Sequence, residues 1–422
     1  MDHVANRWPR RAGWVGVSVL IVAAGAVRAQ ATAPAQTPWT RHTIDASSRG
    51  ADGVRLADVN GDRRPDIVTG WEQGGVTRAY LHPGARSVRG AWPAVTVGRT
   101  PNVEDAVFVD LDADGATDVV SCCEGKTRRI FVHWAPKDKA RILEAASWKT
   151  EPVGASAGSM MWMFALPIQV DGAHGVDLIA AGKGRGAKVG WFQLPADPRD
   201  LSAWRWHPLI DAAWIMSLLA SDMDGDGDLD VVVSERRGKQ SGCYWLERPD
   251  APAGLTRPWA RHWIGSRGRE VMFLALADLD ADGLVDVLAA RKPRQIAFHR
   301  RLSTDGRRWE SHTIHTPASA GGAKAVAAGD IDLDGKTDLV FTCEHAGGGK
   351  RGVMWLGYRD KPTDAAWSAH DISGPEGVKY DLVKLVDLDA DGDLDVLTCE
   401  ESANLGVFWH ENPARPVSPR RR

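Results

Sequence analysis

Along this chain short apolar-rich runs alternate with tight polar turns, and the alternation recurs seven times. A run such as residues 53–57 leads into a nine-residue segment rich in aspartate, and a second run such as 67–71 leaves it. An aromatic run and then a run of the form W-x-x-H-x-[IL] follow, set apart by Gly, Pro and Asp. Apolar runs of this length bounded by turn residues predict strands, four to each unit. No segment keeps a helical period for more than a turn or two.

Three series of positions share one phase. The aspartate segments begin at residues 58, 110, 169, 222, 278, 330 and 387, a step of 52 to 59. Trp39, Trp92, Trp148, Trp204, Trp259, Trp309 and Trp367 form the second series, five of them with a histidine three residues on (His42, His207, His262, His312 and His370). Tyr80, Trp134, Trp191, Trp245, Phe298, Trp355 and Trp409 form the third. Four-stranded units repeated at this period predict an all-β, seven-bladed β-propeller with antiparallel blades. A lone blade cannot bury both of its faces, so the blades must stack around an axis. The first strand of the chain is of the W-x-x-H-x-I type and the last is the aromatic third strand at Phe408 and Trp409. The N-terminal strand is therefore expected to complete the last blade and hide two sheet edges.

Composition adds the compartment. Of 422 residues, 43% are hydrophobic and 25% charged, as in a globular chain, and a net charge of −3 gives no reason to expect nucleic acid as a partner. Arg7, Arg10 and Arg11 followed by an apolar stretch from Ala12 to Val27 read as an export signal, either cleaved after Ala29 or kept as an anchor. No other segment is long and apolar enough to span a membrane. This divides the chain into a signal peptide (1–29), the propeller (30–413) and a basic, disordered tail (414–422), in a secreted or periplasmic protein. Cys122, Cys123, Cys243, Cys343 and Cys399 lack zinc-site spacing, and four of them recur at one strand position, which suits core packing, with a disulfide left open.

The aspartate segments carry the clearest chemistry. Carboxylates at positions one, three, five and nine of a tight turn converge, and a glycine at position six permits the bend. Hard oxygen ligands in that number suit calcium. Five segments are complete: Asp110, Asp112, Asp114 and Asp118; Asp222, Asp224, Asp226 and Asp230; Asp278, Asp280, Asp282 and Asp286; Asp330, Asp332, Asp334 and Asp338; Asp387, Asp389, Asp391 and Asp395. The first has Asp58, Asn60, Asp62 and Asp66, with Arg63 in the glycine place. The third, Gln169 to Asp177, keeps only Asp171 and Asp177 and is expected to bind no metal. These segments resemble the FG-GAP or VCBS repeat family, found in the propeller of integrin α-chains and in many bacterial secreted proteins. The resemblance covers nearly the whole mature chain and implies calcium between the first two strands of a blade.

Six residues before and after each segment lies a second pattern, expected at the opposite end of the inner hairpin. The pairs are Asp52 with Glu72, Glu104 with Glu124, Met163 with Lys183, Met216 with Arg236, Met272 with Lys292, Lys324 with Glu344, and Asp381 with Glu401. Taken as cross-strand neighbours, Asp52, Glu72, Glu104, Glu124, Lys183, Arg236, Lys292 and Asp381 are expected to surround one pocket at the channel mouth. Crowded carboxylates there should raise at least one carboxyl pKa. The alternative is a set of ion pairs between blades, with methionine as filler.

No nucleophile motif, phosphate loop or zinc spacing is present. Two readings follow: a binding or scaffold protein for a carbohydrate or a protein partner, or a carbohydrate-active enzyme such as a polysaccharide lyase or sugar dehydratase. The W-x-x-H-x-I runs beside aspartate loops also resemble the propeller domain of aldos-2-ulose dehydratase, whose cupin domains have no counterpart in this sequence.

Overall fold

The computed structural model describes residues 37–414, so the expected signal segment, the first residues after it and the basic tail beyond 414 lie outside the described residues. Seven antiparallel sheets of four strands each follow one another. Their inner strands are Ala51–Ala57, Val103–Val109, Met161–Ile168, Ile215–Ser221, Val271–Ala277, Gly322–Gly329 and Tyr380–Val386, and blades one to seven take their numbers in that order. Among the described residues the only helical pieces are four single 3-10 turns. The seventh sheet takes its outer strand from the front of the chain. Thr40–Asp45 pairs antiparallel with Gly406–Glu411, closing the ring as the strand order predicts.

The recurrent aromatic residues are explained by this register. Each histidine of the W-x-x-H-x-[IL] runs stands directly opposite the third-series aromatic of its own blade: His42 against Trp409, His207 against Trp191, His262 against Trp245, His312 against Phe298, and His370 against Trp355. The rings pack against each other, stacked with centroids 3.9 Å apart for Trp355 and His370 and tilted at 4.4 Å for Trp245 and His262. The histidines thus have the structural work expected of a residue repeated on outer strands.

The tryptophans also link one blade to the next. Trp259 Nε1 donates to Leu255 O in its own blade at 3.2 Å, and Trp191 Nε1 of the preceding blade donates to the same oxygen at 3.0 Å. Gly306 O likewise accepts from Trp309 at 2.6 Å and from Trp245 at 3.1 Å. One carbonyl with two lone pairs therefore satisfies two buried indoles and ties neighbouring blades at their outer edges. Apolar side chains fill the space between sheets. Cys122, Cys123, Cys243, Cys343 and Cys399 sit in that core as free, fully buried thiols, which matches the packing role read from the sequence.

Replacing Trp191 by Phe removes one of the two bonds on Leu255 O and part of a buried ring. The variant should lose about 1–3 kcal/mol in chemical denaturation, whereas a loss within experimental error would show that the shared carbonyl contributes nothing to blade docking.

Candidate functional site

The aspartate loops join the first and second strands of every blade, and their backbone is the same in all seven. Position six takes a left-handed conformation whether it holds glycine, as in Gly115 (φ 85°), or not, as in Arg63 (φ 65°) and His174 (φ 57°). The ninth residue opens the second strand and is buried in each blade. Its carboxylate accepts two backbone N–H groups: in blade one, Asp66 accepts from Val59 at 2.9 Å and from His82 at 2.8 Å. Asp118, Asp177, Asp230, Asp286 and Asp395 repeat this bridge between the loop and the exit of the third strand. Asp338 accepts from Ile331 at 3.0 Å. The ninth aspartate is therefore a clamp in its own right, which is why Asp177 persists in the degenerate third loop. That loop closes without help. Gln169 Oε1 accepts from Asp171 and Gly172 at 3.0 and 2.9 Å, and its Nε2 donates to Ala173 O at 3.1 Å.

Several loops fit a hard cation. Carboxylate oxygens of Asp110, Asp112 and Asp118 converge within 4.8 Å of one another, as do those of Asp222, Asp224 and Asp230, of Asp278, Asp280 and Asp282, and of Asp330, Asp332 and Asp338. One oxygen each of Asp280, Asp330 and Asp389 is buried without a hydrogen-bond donor, which is costly unless something positive takes its place. Four loops already hold a guanidinium on a ligand-position carboxylate, the first through Arg64 on Asp62 at 3.2 Å. Arg199 reaches Asp112 at 2.5 Å and Asp114 at 3.3 Å, Arg300 bridges Asp280 and Asp282, and Arg89 binds Asp389. Among the described residues no Lys or Arg pairs with Asp222, Asp224 or Asp226, nor with Asp330 or Asp332.

At the other end of the inner hairpins the pairing differs from the expectation. A β-bulge interrupts the first ladder of every blade, for instance between Val103 and Asp105 and between Ile215 and Ser217. The residue six after the loop thereby falls opposite the one eight before it: Glu72 N donates to Gly50 O, Arg236 N to Trp214 O, Lys292 N to Glu270 O and Glu401 N to Lys379 O. Asp52 and Glu104 are thus diagonal, not direct, neighbours of Glu72 and Glu124. Met163, Met216 and Met272 are core filler, at most 3% exposed.

The charged residues nonetheless pair across several blade boundaries. Lys183 of blade three pairs with Glu104 and Glu124 of blade two. Lys324 of blade six pairs with Asp381 of blade seven, and Lys379 with Glu401. Glu344 of blade six meets Lys292 at 2.8 Å and Arg236 at 3.4 Å, and Arg236 also binds Glu270 at 2.8 Å. Burial, Asp381 and Glu104 push the pKa of Asp52 well up. Against the effect of burial, Lys324 holds Asp381 below the ordinary range. Burial and Glu124 outweigh Lys183 and raise Glu104 to about 8. Glu72 is raised by burial and by the charges of Glu124 and Glu401, against Lys379 and Lys183.

The acidic half of the ring is mostly closed, with Asp52 5% and Asp381 2% exposed. The open part lies over blades four to six. There a cavity of about 370 Å³ is lined by Arg236, Arg237, Lys292, Arg294 and Lys350, against Glu270 and Glu344. Trp214 anchors its rim, with Arg236 and Arg237 4.7 and 5.1 Å from the ring centroid and Lys183 at 4.9 Å. Of the eight residues singled out from the sequence, Arg236 and Lys292 line this cavity. Glu270 and Lys379 were missed because both lie eight positions before a loop, and the bulge that brings them to the mouth leaves no mark in composition. Arg294 and Lys350 lie outside any repeat position.

The comparisons agree with this architecture. FG-GAP-like repeats occupy residues 58–121 and 254–341, which include four of the aspartate loops. Similar solved structures include YCF48 from Cyanidioschyzon merolae, at 10% identity and TM-score 0.53, covering 89% of this chain and 99% of that one. BBS1N in complex with ARL6DN, soaked with lead, is similar at 10% identity and TM-score 0.52, covering 90% and 98%. At these identities the likeness is one of fold. No curated protein matches the sequence.

Glu104 supplies a test of the ring. With its folded pKa above the ordinary 4.5, the stability it contributes is complete below that value and is lost as pH rises through about 8. Glu104→Gln mimics the protonated carboxyl, so the fall in melting temperature between pH 6 and pH 9 should be smaller in the variant. An equal fall in both proteins would remove Glu104 from the buried network.

Proposed function

We propose that this propeller is an exported, calcium-loaded binding protein whose mouth takes an acidic carbohydrate. The observation that carries the reading is the excess of cations in the cavity over blades four to six. Glu344 is answered there by Lys292 and Arg236, and Glu270 by Arg236 and Arg237, while Arg294 and Lys350 make no ion pair among the described residues. Guanidinium groups match carboxylate and sulfate oxygens in two-pronged geometry, and a concave polar cleft suits a ligand rich in acceptor oxygens. The cation-π contacts with Trp214 orient two of these groups before a ligand arrives. The export signal read from residues 1–29 supports this reading, since it would deliver the protein to a compartment where such glycans and calcium occur.

Titration of the calcium-bound chain with polygalacturonate fragments should show saturable binding that weakens with salt, and with Arg294→Ala plus Lys350→Ala should lose at least about tenfold in affinity, on the order of 1.4 kcal/mol. A neutral oligosaccharide of equal length binding as tightly would defeat the proposal. Cleavage of the fragments to unsaturated products would move the protein to the lyase class.

Calcium is assigned to the loops with complete or nearly complete carboxylate sets, and it stiffens the inner hairpins. A chemical role for the ions does not follow, since protein oxygens fill the shell. Arginine competes for the same carboxylates in blades one, two, five and seven, and Lys336 for Asp334 in blade six, so the loop at 222–230 should fill first. Chelation should lower the melting temperature, because a site filled to 100 times its Kd stabilises by about 2.7 kcal/mol. Arg199→Gln should raise calcium affinity at blade two, read by isothermal titration; unchanged isotherms would show that Arg199 does not occupy the cation position.

A further inference from the structure

Between the charged mouth and the aspartate loops, the axial channel widens into a second cavity of about 420 Å³. About half of its wall is apolar, with Leu166, Leu219, Leu276, Val326 and Leu385 among the lining residues. Towards the mouth, Phe164 and Phe273 meet edge to face with ring centroids 5.7 Å apart. They come from blades three and five, which are not neighbours, so the contact reaches across the channel and narrows it. The Arg55 guanidinium lies 6.0 Å over Phe164.

Two cations line this space, and they are not equivalent. Arg55 is committed to Asp105, bonding Oδ1 through Nε at 3.0 Å and Oδ2 through Nη2 at 3.3 Å, and Asp105 is 1% exposed. Together they are a neutral, two-pronged pair. Lys384 has no hydrogen bond or ion pair among the described residues. Burial draws its ammonium down to about 8, Arg55 adds to the fall and Asp105 opposes it. A charge left without a counter-ion in a low-dielectric wall is costly, and an anion arriving beside it relieves that cost. A small inorganic anion would leave its remaining oxygens facing leucine. An anion joined to a hydrocarbon body satisfies both halves of the cavity.

We propose that the axial cavity binds an aliphatic monocarboxylate, with its carboxylate on Lys384 Nζ and its chain against Leu219, Leu276 and Leu385. The site is separate from the cationic cleft at the mouth and does not depend on the reading given to that cleft.

Isothermal titration of the intact, calcium-bound chain with octanoate, 1-octanol, octylammonium and acetate tests this. Octanoate should bind at one site per chain, with 1-octanol about tenfold or more weaker for want of the ionic contact. Acetate, six methylenes shorter, should be at least about a hundredfold weaker, and octylammonium should not bind. Lys384→Met should abolish the preference for octanoate over 1-octanol while leaving 1-octanol binding and calcium-dependent melting in place. Arg294→Ala with Lys350→Ala should leave octanoate binding unchanged. The proposal is overturned if octanoate binds the intact chain no better than 1-octanol, or if its preference survives in Lys384→Met. Should that variant not fold, the head-group series on the intact chain decides alone.

Discussion

A single buried carboxylate in each blade holds the inner hairpin to the rest of its sheet, and the remaining structure is arranged around it. The ninth aspartate of each loop joins the turn to the second strand. In six blades it also accepts the N–H just past the third strand, so three of the four strands are indexed by one side chain. Hydrogen bonds to a charged acceptor are worth more than neutral ones, and here they oppose, without cancelling, the upward pKa shift that burial gives residues such as Asp66, Asp118 and Asp395. Loop aspartates such as Asp222, Asp226 and Asp282 lie nearer the surface, where a cation or a guanidinium can reach them. A loop can therefore lose its metal-binding residues, as Gln169 to Asp177 has, without the blade losing its shape.

The bulge on the inner strand has a comparable reach. By adding one residue to the same ladder in every blade, it turns the chain at the level of the charged ring. It brings Glu270 and Lys379 to the mouth and leaves methionine in the core. The acidic sector is then closed by Lys183, Lys324 and Lys379, while the cationic sector keeps an opening. Charge balance inside the ring and charge excess at the cleft are thus two outcomes of one local irregularity.

Much of this architecture is legible in the sequence because it repeats. The loops and the histidine and tryptophan series each recur at a fixed phase and are decided within one blade or between sequential neighbours, and the closing strand follows from the order in which that repeat begins and ends. What escapes sequence reading is decided between residues about one repeat apart or more. Arg199 reaches back from blade three to the loop of blade two, and Arg89 crosses from blade one to blade seven. The hairpin register failed by the width of the bulge, since neither Glu104 nor Met216 announces an extra residue in a ladder. The contact of Phe164 with Phe273, and hence the cavity below it, depends on two blades meeting across an axis that no linear pattern marks.

The closing strand has a consequence for how the chain is made. His42 packs on Trp409 and accepts or donates to Glu411, a partner 369 positions away. The first strand to leave the ribosome is thus among the last to find its sheet, and until then the seventh blade offers an unpaired edge. Contacts of such separation slow folding and extend the lifetime of open intermediates.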